Sequence, residues 1–123
     1  MKRIALAALA AVILPVAAAQ ADPFAVAYGN TVTQTLPDGR KTTIYINADK
    51  TWERHNTDGT TVKGTYSWKD ATHACFVMTD PPPPGNAQAD CNEIKGDHKV
   101  GDTWTETMPD GKTSITMAIT AGR

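Results

Sequence analysis

The sequence predicts an all-β fold of about eight antiparallel strands, a near-meander forming a small barrel, with a two-layer β-sandwich as the alternative. Three observations carry that expectation. From Thr31 onward, short runs of β-branched and aromatic residues are separated by turn residues, apolar side chains recur at every second position within the runs, and no segment there has helical periodicity.

The chain opens with a different signal. Lys2 and Arg3 precede an unbroken apolar run from Ile4 to Leu14, Pro15 interrupts it, and Ala19-Gln20-Ala21 has the small-x-small form read by signal peptidase. Residues 1–21 are therefore expected to form a cleaved secretory signal helix, and residues 22–123 a single β domain. The apolar run is too short to span a bilayer, so no membrane insertion is expected after processing. Cleavage removes two of the 12 Lys and Arg residues, leaving 10 against 13 acidic ones. A mature chain of net charge −3 with scattered charges offers no basic patch for nucleic acid.

The strands are expected at Thr31 to Leu36, Lys41 to Asn47, Thr51 to Asn56, Thr60 to Trp68, Ala74 to Thr79, Cys91 to Ile94, Thr103 to Met108 and Thr113 to Thr120. Pro37-Asp38-Gly39 and Pro109-Asp110-Gly111 supply Pro with its fixed φ, then Asp, then Gly at positive φ, and Thr57-Asp58-Gly59 repeats the device without Pro. Each marks a hairpin, so sequential strands are expected to pair. The first and last of these turns lie in an internal repeat. Thr31 to Arg40 aligns without gaps on Thr103 to Lys112, differing non-conservatively only at Val32 against Trp104. A shared hairpin type explains the match better than twin ligand sites.

Alternation assigns the faces. Val32 and Leu36, Ile44 and Ile46, Val62, Tyr66 and Trp68, Trp104 and Met108, and Ile115, Met117 and Ile119 form the expected core, with threonine rows on the opposite side. The same alternation turns some polar residues inward. Gln34 lies between Val32 and Leu36, Glu106 between Trp104 and Met108, and Arg54 shares the face of Trp52. These residues are the candidate ligand site: Arg54 and Glu106 as an ion pair, Gln34 as an adjustable donor and acceptor, and Trp52 and Trp104 as flat walls.

Cys75 and Cys91, with 15 residues between them, are expected to form one disulfide in an oxidising compartment. A loop of that size contributes roughly 3 kcal/mol in the chain-entropy description. Pro81 to Pro84 begin the long connection inside that loop, read as a rigid spacer in preference to a docking arm for a partner. His55, His73 and His98 have no metal-binding or catalytic spacing and are placed on the surface. No catalytic residue, metal site or cofactor is assigned, and enzymatic activity has no support in the motifs.

Gly64-Thr-Tyr-Ser-Trp-Lys-Asp70, Cys75-Phe76, Cys91, Val100-Gly-Asp-Thr-Trp104 and the closing Gly122-Arg123 resemble the pattern of an uncharacterised family of small exported bacterial β-proteins with a single disulfide. The resemblance spans most of the mature chain, implies export and fold, and carries no activity. Periplasmic lysozyme inhibitors are similar in size, export and disulfide use, but their inhibitory-loop motifs are missing here. The functional expectation is an exported, periplasmic or extracellular, binding module for a small or extended ligand. The alternative is a protein-interaction module, an inhibitor or an envelope accessory protein. A pocket with convergent polar groups favours the first, and a filled interior the second.

Overall fold

The computed structural model describes residues 22–108 and 110–123; the expected signal segment and Pro109 of the last turn lie outside the described residues. A short 3-10 turn, Ala25–Ala27, precedes strands β1 (Thr31–Thr35), β2 (Lys41–Ile46), β3 (Thr51–His55), β4 (Thr61–Trp68), β5 (His73–Asp80), β6 (Asp90–Glu93), β7 (Thr103–Thr107) and β8 (Ser114–Thr120). All eight fall within one residue of their expected ends. Gly39, Gly59 and Gly111 have φ of 86°, 84° and 69°, the left-handed region that the hairpin turns need.

Side chains reinforce those turns. In Asn47-Ala-Asp-Lys-Thr51 and Asn56-Thr-Asp-Gly-Thr60, an aspartate oxygen accepts the backbone N–H of the final threonine, at 3.0 and 2.9 Å. The opening asparagine donates to that threonine's hydroxyl at 3.0 Å in both turns. Asp38, Asp49, Asp58, Asp70 and Asp110 are all held below the ordinary aspartate range by such hydrogen bonds.

The strands form one antiparallel sheet in the order β6-β5-β4-β3-β2-β1-β8-β7, curled into a half-barrel. Sequential neighbours pair at every step except between β6 and β7, which lie at opposite edges. Closure therefore stops short of the expected full barrel. The connection after β6 has to travel from one edge to the other, and the N-terminal segment meets it on the way, with Pro23 against Gly96. The two copies of the repeat, β1 and β7, flank the same strand, placing Gln34 and Trp104 on either side of Met117.

The curl has a local cause in β4. Gly64 faces Trp52 on β3, and the register against β5 shifts between Lys63 and Gly64. A β-bulge bends and twists its strand. A methyl group at Gly64 would collide with the Val77 carbonyl oxygen and lie 2.5 Å from the Trp52 ring, so the bend and the position of Trp52 depend on the same missing side chain.

The core lies on the concave face. Val32, Ile46, Val62, Tyr66, Ile115, Met117 and Ile119 are buried as expected, with Leu36, Ile44, Trp68 and Trp104 packed around them. Met108 is a correction: it is 40% exposed, because it lies just past the end of an edge strand. Phe24 is an addition. Its ring inserts between Tyr66 at 5.0 Å, Trp68 at 4.9 Å and Phe76 at 5.9 Å. Asp22 secures this plug by accepting hydrogen bonds from the Phe24 N–H, at 2.9 Å, and from the Tyr28 hydroxyl. Burial first, and then this bond to Asp22, push the Tyr28 phenol far above its ordinary pKa. The Tyr66 hydroxyl, 3.1 Å from that of Tyr28, donates to the Asn47 carbonyl at 2.8 Å.

Two further ties hold the sheet. The Cys75–Cys91 disulfide joins directly opposed residues of β5 and β6, 3.9 Å apart at Cα. Arg123 donates to the carbonyl oxygens of Asn30 and Ile46 and to the Asn47 side chain, and lies over the Tyr45 ring.

Candidate functional site

Three strands bring the five candidate residues to one place. Gln34 on β1, Trp52 and Arg54 on β3, and Trp104 and Glu106 on β7 all line a concavity of about 1190 Å³. Its floor is apolar, made chiefly by Val32, Ile44, Ile46, Val62, Ile115 and Met117. Phe24 and Phe76 stand in its wall, together with the connection from Ile94 to His98. Period-two alternation along β1, β3 and β7 explains why residues far apart in sequence share this face.

The polar groups differ in how they are satisfied. Trp52 donates its indole N–H to the Thr65 carbonyl at 3.0 Å, which fixes the ring across Gly64. Trp104 donates its own to Glu106 Oε1 at 2.9 Å, two residues along the same face. The expected Arg54–Glu106 ion pair is not formed among the described residues. Arg54 and Glu106 stand on β3 and β7, which are separated by β2, β1 and β8, and the Glu106 carboxylate is engaged by Trp104 instead. Arg54 is flanked across the sheet by Ile44 and Val62. Its Nε is buried and has no hydrogen-bond partner among the described residues.

No family model, no curated protein and no solved structure matches this chain.

His98 does not lie on the surface as expected. Its side chain is only 18% exposed, and its ring stacks on Trp104 with centroids 3.5 Å apart and planes 9° from parallel. One face of Trp104 is thus covered by a residue expected on the surface. Its polar neighbours Gly96, Asp97 and Lys99 give no periodic signal to place it. Phe24 was equally hard to foresee, since Asp22 to Gly29 matches neither a strand nor a helix pattern. Phe76 was more accessible: Ala74, Phe76 and Met78 alternate along β5, and the last two line the concavity. His55 and His73 make local contacts, with Glu53 at 2.6 Å and Asp70 at 2.9 Å. Among the described residues, no three His, Cys, Asp or Glu side chains converge as metal ligands would.

Proposed function

We propose that this protein is an exported binding module that takes a small or extended ligand into the concave face of its half-barrel. The observation that supports the reading is the opening of Gln34, Trp52, Arg54, Trp104 and Glu106 onto one apolar-floored concavity. Ligand sites combine such an apolar lining with a few placed polar groups, and at about 1190 Å³ the concavity is somewhat larger than their usual range of roughly 300–1,000 Å³. An open concavity of this kind favours a ligand over a protein-interaction module with a filled interior.

Export, with the periplasm as the proposed compartment, is supported by the disulfide, which persists in oxidising surroundings, and by the basic start and apolar run before Ala21. No helix among the described residues is long and apolar enough to cross a membrane. The resemblance to small exported bacterial β-proteins belongs to the same proposal. Native mass spectrometry of the full chain, expressed in a bacterium and purified gently, tests it. A sub-kilodalton mass carried by the folded protein is the expected result, and a co-eluting polypeptide with no small mass would contradict it.

A further inference from the structure

We infer that the ligand is an amphiphile with a single carboxylate, its head held by Arg54 and its apolar body lying on the floor of the concavity. The inference rests on the concave-face reading above and names the chemistry of that site. It starts from Arg54, which forms no ion pair among the described residues and whose Nε is buried without a hydrogen-bond partner among them. A buried polar group without a partner is costly, and native structures leave very few of them. Salt-bridging carboxylates are usually close at hand, yet Glu106, in the same concavity, is committed to the Trp104 indole. The buried Nε–H of Arg54 is thus open to a group that the described residues do not supply.

The surroundings narrow the choice. A planar guanidinium matches a carboxylate or phosphate through two parallel N–H bonds. Among the described residues, Lys95 is the only other Lys or Arg lining the concavity, whereas Asp90, Glu93, Asp97 and Glu106 all line it. Four carboxylates against two cations disfavour a dianion, so a monoanionic carboxylate fits better than a phosphate ester. On either side of Arg54 across the sheet stand Ile44 and Val62, with Val32 next beyond Ile44. A head group bound to Arg54 would therefore continue onto hydrocarbon surface, and the Trp52 ring lies two residues along the same strand and face. An alkyl chain covers that hydrocarbon floor at less desolvation cost than a polyhydroxylated ligand would.

Dodecanoate, dodecan-1-ol and dodecyl phosphate, each titrated calorimetrically into the intact protein and into its Arg54→Met variant, test the inference. Because the head-group bonds to a charged residue are worth about one to two decades in affinity, dodecanoate should bind one per chain, at least about 10-fold tighter than the alcohol. Arg54→Met should remove that advantage, so that dodecanoate and the alcohol bind the variant alike. The variant should also melt no lower than the parent, since it relieves an unpartnered buried group. Equal affinity for dodecanoate and the alcohol in both proteins would overturn the carboxylate while leaving the concave site standing, and tighter binding of the phosphate would do the same. Failure of all three to bind, in a protein that nonetheless carries a small mass in native mass spectrometry, would overturn the inference alone. Failure to bind with no carried mass would overturn the binding reading as well.

Discussion

Lys50 has φ of 68°, in a turn whose sibling carries Gly59 at 84° with the same asparagine, aspartate and threonine bonds. A non-glycine residue in that region is strained by about 1 kcal/mol or more, partly offset by the entropy glycine loses on folding. Lys50→Gly should therefore raise stability by up to about 1 kcal/mol in urea unfolding, and Gly39→Val should lower it. Gly64→Ala should cost about 1–3 kcal/mol, the range of a forced overpacking, because backbone at Val77 and the Trp52 ring both block the new methyl. The turn glycines were legible because Asp-Gly in a hairpin leaves few conformations. Lys50 and Gly64 were not, since the first has no glycine to mark its turn and the second is explained only by a neighbour across the sheet.

At the level of elements, the strands were readable because local turn chemistry punctuates them, and the Thr31 and Thr103 repeats start strands with the same turn after them. The strand order was readable only where a short turn forces pairing. β8 beside β1, and β7 outside it, is a choice between distant segments that alternation alone does not encode. Cleaving the β5–β6 cross-link with paired Cys75→Ser and Cys91→Ser changes should cost about 2–5 kcal/mol in urea unfolding. The turns also set an acid response. Five aspartates are depressed in the folded state, so the unfolded chain takes up their protons first. Their contribution is complete above the unfolded aspartate value of about 3.9 and is lost as pH falls through the folded values. Thermal melts should hold steady from neutral pH to about 5 as far as these groups are concerned, then fall progressively below about 4.

Across the whole molecule, an unclosed sheet leaves a concave core that must be covered, and Phe24 covers one end of it. Phe24→Ala should cost about 3–5 kcal/mol, a large share of the stability of a domain this size, read as a lowered urea midpoint. Alternation was enough to send Gln34, Trp52, Arg54, Trp104 and Glu106 to one face. It could not reveal that Glu106 binds Trp104, that His98 covers the same indole, or that Arg54 is left without a partner, because those facts depend on which strands become neighbours. The remaining space is the proposed binding site, and side-chain NMR during titration with dodecanoate tests it most directly. The account predicts saturable shifts of the Trp52 and Trp104 indole N–H and the Arg54 Nε–H, with the convex-face pair Glu53 and His55 unmoved. Shifts confined to the convex face or to the Pro81 to Pro84 connection, with both indoles silent, would contradict it.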